Sequence, residues 1–259
     1  TEFDMCAHAS RLPKTGVYAR RSAAAQHLEE RRYISHASLV ASSVPSLESM
    51  LLPLSGVKSL SVLLDVPSTM KASAFITSRC EPTSLRSLEY LSIGYFDENI
   101  VAYSSKNDLS VKFFTSVIKR AHALKHLAIE KVANKEHIAP LLRAALSQNV
   151  YTLCVPLHNM NEYLQVISTQ EDLLKAMLSS IRSIVISGYS HEVMTVQYLS
   201  HLIRFFSHIT SLICIIFDMG GEYNDDIEVE EMASIVEAAK VSTADVRAAS
   251  KLDVFLDFE

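Results

Sequence analysis

The sequence predicts an α/β fold, a solenoid with a parallel sheet on its concave face and helices on its convex face. Two observations predict this class. An apolar-x-x-apolar-x-apolar pattern returns roughly every thirty residues, and between copies the apolar period changes from 2 to about 3.6, as in a strand followed by a helix. Since 49% of the 259 residues are apolar or aromatic, the chain can also bury a continuous core.

The repeated pattern has six copies, and each is predicted to form one strand of the sheet. A seventh, irregular copy follows, where strict alternation predicts a strand with its apolar side chains on one side at Leu252, Val254, Leu256 and Phe258. The apolar positions of the six copies are Val57, Leu60, Val62; Leu88, Leu91, Ile93; Leu124, Leu127, Ile129; Val150, Leu153, Val155; Ile181, Ile184, Ile186; and Ile209, Leu212, Cys214.

The segments between the copies carry apolar side chains at helical spacing. We predict that Asp108 caps the first of these helices. Ser168 and Glu171 have the spacing of a capping box, and Ser190 is predicted to cap a helix that begins near Val193. The predicted buried stripes are Val111, Phe114, Val117, Ile118; Ile138, Leu141, Leu142, Leu146; Leu173, Leu174, Met177, Leu178; Val193, Val196, Leu199, Leu202, Ile203, Phe206; and Met232, Ile235, Val236.

Four copies, SLEYLSI, ALKHLAI, VYTLCV and SIRSIVI, resemble the strand motif L-x-x-L-x-L of the leucine-rich-repeat family. The resemblance covers roughly residues 45–259 and implies a solenoid that binds other proteins. Unit lengths vary more than in the family, and the asparagine ladder that satisfies backbone groups at its turns is missing. The positions where the family carries Asn or Cys hold Asp65, Phe96, Val132, His158, Tyr189 and Phe217.

A doubly wound α/β domain is the competing architecture, because it also alternates strands and helices. Its strands are buried on both faces and usually read as continuous apolar runs. Here polar residues such as Ser92, Thr152 and Ser183 interrupt the strand cores. One sheet face is therefore predicted to be open, which favours the solenoid.

We predict two parts in the chain, a helical segment at residues 1–43 and the solenoid at residues 44–259. The first part would cap the first core layer, or it would be an arm that docks on a partner. Its many Ala, Ser and Arg residues are also typical of an organelle-targeting segment. A mitochondrial location is therefore an alternative to a cytoplasmic one.

Composition limits the class of partner and the compartment. A net charge of −5 gives no attraction to a phosphate backbone, so RNA binding finds no support in the overall charge. The four cysteines lie far apart without a C-x-x-C pair, which predicts free thiols in an intracellular protein and neither a zinc site nor a disulfide framework. No apolar run is long enough to span a membrane.

Three short motifs contain residue types that occur in functional sites, but none predicts a catalytic, cofactor or metal site. His122 and His126 are four residues apart but lack the Glu of H-E-x-x-H, and the repeat places His126 on a strand. Ser190, His191 and Glu192 are adjacent, so they point in different directions. Gly220 and Gly221 belong to no phosphate-binding motif. The sequence therefore predicts no cofactor and no enzyme activity.

The predicted protein-binding residues lie between the apolar positions of the strands, on the concave face, and in the acidic run GGEYNDDIEVEE. That run is typical of a solvated loop and an acid-rich first helical turn, and its sharper interpretation is a patch for a basic partner. The predicted positions are Tyr90, Ser92, His126, Glu130, Thr152, Ser183, Ser187, Ser211, Ile213, Ile215, Glu222, Asp225 and Asp226.

The function predicted from these features is that of a non-catalytic protein-protein interaction or scaffold protein, as one subunit of a larger complex. The alternative is an RNA-associated subunit of an organellar ribonucleoprotein, which would use the basic N-terminal residues Arg20, Arg21, Arg31 and Arg32. A substrate-adaptor protein and an enzyme of unknown type are further alternatives. Because a fold does not fix a function, the family resemblance alone does not separate them.

Overall fold

The computed structural model describes residues 36–41, 56–65, 85–96, 104–131, 135–188, 194–218 and 226–257. Contacts between residues divide the chain into two compact units, and the division lies between Val150 and Tyr151. The first unit contains the described residues up to 150, and the second contains those from 151 onward. Each unit is described separately below.

Each unit contains four strands that pair in parallel and in chain order. These strands and the helices between them confirm the predicted α/β class. In the first unit the strands are β1 (His36–Ala41), β2 (Ser59–Asp65), β3 (Tyr90–Phe96) and β4 (His126–Lys131). In the second they are β5 (Thr152–Pro156), β6 (Ser183–Ser187), β7 (Cys214–Asp218) and β8 (Asp253–Asp257).

Helices follow most of the strands. The first unit has α1 (Ser104–Arg120) and α2 (Ile138–Leu146). The second has α3 (Met160–Thr169), α4 (Glu171–Ser180), α5 (Val196–Phe206), α6 (Asp226–Ser242) and α7 (Ala244–Ser250). Short 3₁₀ turns occur at Leu85–Ser87, Lys135–His137 and Leu157–Asn159. None of the helices that the structure describes combines the length and the apolar character that a membrane crossing needs.

Burial confirms most of the predicted helix stripes. In α1 and α2 every predicted stripe residue is buried. In α4 Leu173 and Met177 are buried, whereas Leu174 and Leu178 are only half-buried. Val196 and Ile235 are likewise half-buried, and Val193 lies outside the described residues. The spacing of 3 and 4 residues therefore located the helices, and the neighbouring elements decided how wide each buried stripe is.

Two of the three predicted helix caps are wrong. Asp108 lies inside α1, which begins four residues earlier at Ser104. The residue before α4 is Gln170, which makes no side-chain cap, and the Ser168 hydroxyl donates instead to the Gln165 carbonyl. Helix α5 begins at Val196 and is capped by the Thr195 side chain, and the predicted cap Ser190 lies outside the described residues.

The register of the strands shows which face of each sheet belongs to the core. Leu60, Leu91 and Leu127 lie level on β2, β3 and β4, and Ile184, Ile215 and Val254 lie level on β6, β7 and β8. We call this side of each sheet the apolar face. Most of its side chains are at most 3% exposed, namely Leu60, Val62, Leu91, Ile93, Leu127, Ile129, Leu153, Val155, Ile184, Ile186, Ile215, Phe217 and Val254.

Two strand predictions need correction. Residues 36–41 form strand β1, although the sequence predicts a helical segment over 1–43; residues 1–35 lie outside the described residues, and so does the boundary at 43. The sixth copy of the pattern is displaced by three residues. Its apolar positions are Leu212, Ile215 and Phe217, because Ile184 pairs with Ile215 and Ile186 with Phe217. Ile209 is also buried, which is why the displaced copy satisfied the same pattern.

Candidate binding surface

The side of each sheet opposite the apolar face is called the second face here. Its positions alternate with the core positions along each strand. In the first unit His36, Ser59, Tyr90 and His126 lie level across β1 to β4, and Ser38, Ser61, Ser92 and Ala128 lie level two residues further on. This face is built mainly from small and polar side chains.

A polar cluster occupies the second face of β3 and β4. The rings of Tyr90 and His126 lie with their centroids 6.4 Å apart. Next to them the Ser92 hydroxyl donates a hydrogen bond to the Glu130 carboxylate. Ser92 is only 1% exposed, whereas Glu130 is exposed to solvent. The cluster therefore offers a partner one charged group, and the other three side chains are buried.

The second face of the second unit has twelve positions in three rows. The first row is polar. There the Cys214 thiol donates a hydrogen bond to the Ser183 hydroxyl on β6, at 3.4 Å. The middle row is apolar, and the last row contains the buried Asp218. The rows are Thr152, Ser183, Cys214, Asp253; Cys154, Val185, Ile216, Phe255; and Pro156, Ser187, Asp218, Asp257.

Charge on this face has one sign. Asp218, Asp253 and Asp257 are acidic, and Lys and Arg occur at none of the twelve described positions. Exposure also varies along the apolar row. It rises from 2% at Val185 to 8% at Ile216 and 43% at Phe255. The prediction of an open sheet face is therefore wrong for β5 and β7, where both faces are buried, and the most exposed part of the second face lies at β8.

Seven of the predicted protein-binding residues lie on a second face. Tyr90, Ser92, His126 and Thr152 are at most 7% exposed, so a partner could touch little of them. Ser183 and Ser187 are half-buried, and Glu130 is exposed. Alternation assigned these seven residues to the correct side of the sheet, but alternation alone does not predict how much of a side chain remains exposed.

Three further predicted positions shift with the corrected sixth copy. Ile215 belongs to the core at 0% exposure and is not a surface residue. Ser211 lies outside β7, and its hydroxyl donates to the Ile181 carbonyl at 2.7 Å. Ile213 precedes β7 and is 53% exposed. The strand face positions are instead Cys214, Ile216 and Asp218.

The remaining predicted residues fall mostly outside the described part of the chain. Glu222 and Asp225 do so, and so do Arg20, Arg21, Arg31 and Arg32. Asp226 is the first residue of α6, as expected for an acid at a helix N-terminus.

The sequence interpretation missed Asp253, Phe255 and Asp257 as surface residues. It had placed a strand there from the alternation of Leu252, Val254 and Leu256, and β8 confirms that strand. The residues between the apolar ones then had to lie on the second face. The alternation therefore predicts these three surface positions as well, although the predicted binding residues do not include them.

The histidine pair and the cysteines do not come together. His122 is exposed at a turn, with its Nδ1 3.2 Å from Gln148 Oε1, whereas His126 is buried on β4. Cys154 and Cys214 are buried and neither is in a disulfide, and Cys6 and Cys80 lie outside the described residues. Within the described ranges, no three His, Cys, Asp or Glu side chains are grouped as ligands for a metal ion.

A shallow cleft of about 510 Å³ lies between the end of α5 and α7. Its hydroxyl groups already donate to backbone carbonyls: Ser207 to Arg204 at 2.7 Å, Thr210 to Leu178 at 3.1 Å, and Ser250 to Val246 at 2.8 Å. The lining residues are Ser207, His208, Thr210, Val246, Ala249 and Ser250. The cleft does not assemble a nucleophile with a base and an orienting group.

Comparisons with known proteins add no family to this description. No protein-family model matches the chain, and no curated protein matches it.

Proposed function

We propose that the protein is a non-catalytic protein-protein interaction protein, a scaffold or subunit of a larger assembly, and that its two units are solenoid-like. The observation that carries the proposal is the order of the strands. In each unit they are parallel and consecutive, with no reversal of order. A doubly wound sheet reverses its order at a switch point, where it usually binds its ligand.

Consecutive parallel strands also support a binding face. Crossovers between parallel strands are nearly always right-handed, so connections that all advance in one direction cross the same side of the sheet. The apolar face carries the core, and the second face is then the side without crossovers. Repeat proteins use sheet surfaces to bind macromolecules, and here the exposed part of that surface lies at β8, at Asp253 and Phe255.

The second face of the second unit favours a protein partner over RNA. Its three carboxylates would repel a phosphate backbone, which is usually bound by Lys and Arg, and its apolar row ending in Phe255 carries no positive charge to attract one. The proposal includes an intracellular location, cytoplasmic or mitochondrial, which Cys154 and Cys214 support because neither is in a disulfide.

The test is purification of the tagged protein from its natural source at about 0.1 M and about 0.5 M salt, with and without nuclease, followed by mass spectrometry. We expect the same proteins at stoichiometric amounts in all four preparations. Loss of the complex at high salt and after nuclease treatment would support the RNA-associated alternative. A monomer that elutes with nothing attached under all conditions would contradict both.

A further inference from the structure

Strand β8 has a neighbouring strand on one edge only in the part of the chain that the structure describes. Its pairing with β7 uses alternate residues, beginning with the Asp253 amide, which donates to the Ile213 carbonyl at 2.9 Å. In a parallel pair the residues between these direct their N–H and C=O groups to the opposite edge. Val254 and Leu256 therefore present two backbone donors and two backbone acceptors to an added strand.

The side chains of β8 specify what such a strand should contain. Asp253, Phe255 and Asp257 lie on the second face, and Val254 and Leu256 lie on the apolar face. Val254 is 3% exposed, but Leu256 at the same face is only half-buried. An added strand with apolar residues on the core side would complete the cover of Leu256.

On the second face, the side chains of β8 suit basic residues in the added strand. Phe255 ends the apolar row that begins with Cys154, and its exposure is about five times that of its neighbour Ile216, at 43% against 8%. Carboxylates two residues before and two residues after it, Asp253 and Asp257, lie on the same face. Cross-strand pairs of opposite charge are favourable, so Lys or Arg would suit these two positions in the added strand.

We infer that the edge of β8 binds an extended segment of a partner protein, in which basic residues face Asp253 and Asp257 and apolar residues lie beside Leu256. The inference rests on the proposed function, since it names the class of partner that this interaction protein takes. Strand addition of this kind derives affinity from main-chain hydrogen bonds and specificity from alternate side chains. The segment has the pattern basic, apolar, any residue, apolar, basic.

A second copy of this chain fits the edge less well. Two β8 strands paired antiparallel about Phe255 would place the Asp253 of each strand opposite the Asp257 of the other. Like charges directly opposite one another destabilise a strand pair. Charged side chains on edge strands are a common means of preventing such self-pairing. The same carboxylates thus disfavour self-association and favour a basic strand.

Binding of synthetic peptides to the full chain tests the inference. The probe contains Lys-Val-Tyr-Val-Lys between neutral flanks and carries a fluorophore. The two controls replace both Lys by Glu, or the central Tyr by Pro, which removes a main-chain donor and disfavours a strand. We expect saturable binding of the Lys peptide only, read out by fluorescence anisotropy. Equal binding of the Lys and Glu peptides, or binding of neither, would overturn the inference.

Protein variants locate the site. Asp253→Lys should weaken binding of the Lys peptide by about two- to fivefold, and adding Asp257→Lys should reverse the preference toward the Glu peptide. Glu231→Lys, an equal change of charge at an exposed position of α6, is the matched control and should leave the affinity unchanged. An equal loss in Glu231→Lys would show that only the net charge matters and would contradict a site at β8.

Hydrogen exchange provides a readout that needs no variant. Amides of Val254 and Leu256 should exchange more slowly when the wild-type protein is saturated with the Lys peptide, and unchanged exchange there would contradict strand addition.

Co-purification of native partners with a β8 variant separates this inference from the proposed function. If native partners co-purify with wild-type protein and equally with the Asp253→Lys/Asp257→Lys variant, the β8 edge is not the site, and the proposed function stands.

Discussion

Ile184 and Ile215 lie level on neighbouring parallel strands, and both side chains point into the core. Their pairing fixes the register of β7, which the sequence pattern alone had placed differently. It also gives two isoleucines that are two residues apart opposite environments, because Ile215 is 0% exposed and Ile213 is 53% exposed.

Replacing each of these two isoleucines by alanine should therefore have very different effects. Ile215→Ala leaves a cavity in the core against β7 and should lower the free energy of unfolding by about 2–5 kcal/mol. Ile213→Ala is the matched control and should change it by less than about 0.5 kcal/mol. Urea denaturation of both variants measures the difference. Equal losses would mean that the register of β7 is wrong.

The Ser211 hydroxyl should contribute to stability through the backbone. It donates to the Ile181 carbonyl at 2.7 Å and lies 3.2 Å from the Met177 carbonyl, so it joins the segment before β7 to the end of α4. We expect Ser211→Ala to cost about 1 kcal/mol, because carbonyls lose a donor in a half-buried position. Ser179→Ala is the control, since that exposed hydroxyl bonds only within its own helix, to Ala176 at 3.0 Å. A neutral Ser211→Ala variant would contradict the assigned role.

The start of α5 depends on the Thr195 side chain, which accepts a hydrogen bond from the Tyr198 amide at 3.2 Å. Thr195→Ala should lower stability by about 1 kcal/mol, because an amide in the first turn then lacks its acceptor. Thr195→Ser keeps the acceptor oxygen and should stay within about 0.5 kcal/mol of wild type. Thermal denaturation compares the two variants, and equal destabilisation would rule out the cap as the cause.

Lys251 ends α7 in the left-handed backbone region, with φ of 56°. A residue with a Cβ is strained there, whereas glycine adopts this conformation without strain. We expect Lys251→Gly to raise the free energy of unfolding by up to about 1 kcal/mol. Lys251→Ala keeps the strain and is the control. If Lys251→Gly is no more stable than Lys251→Ala, the left-handed conformation is not present in solution.

Stability at alkaline pH should depend on Tyr198. Burial raises the pKa of this phenol above its ordinary value, so the folded state favours the neutral form. The resulting contribution is fully present below the pKa of the unfolded chain and is lost as the pH rises through the folded pKa. Tyr198 Oη also donates to Asn161 Oδ1 at 3.1 Å, and that bond needs the phenolic proton.

The difference in unfolding free energy between wild type and Tyr198→Phe should therefore be constant up to about pH 9 and shrink above about pH 10. Urea denaturation across this range measures it. A difference that grows with pH would have the wrong sign for a raised pKa. A difference that never changes would mean that the phenol titrates alike in both states.

Periodicity in the sequence was enough to determine the α/β class, the parallel strands and most of the helix stripes. Leu91, Leu127 and Leu153 stand at the same place of the repeated pattern and occupy the same face of their sheets. Periodicity predicts these elements because apolar residues recur every two positions in a strand with one buried face and every three or four positions in an amphipathic helix. Strand β1 was missed because Ala37 occupies a position where the other copies carry a large apolar side chain.

Only the tertiary structure decided the register of β7 and the accessible part of the second face. Ile209, Leu212 and Ile215 are all buried, so the repeated pattern fits the sequence whether it starts at Ile209 or at Leu212. Only the pairing of β7 with β6 selects the second placement. In the same way Val185, Ile216 and Phe255 share one row but differ greatly in exposure. The exposure of a strand side chain depends on its neighbours across the sheet, and these come from distant parts of the chain.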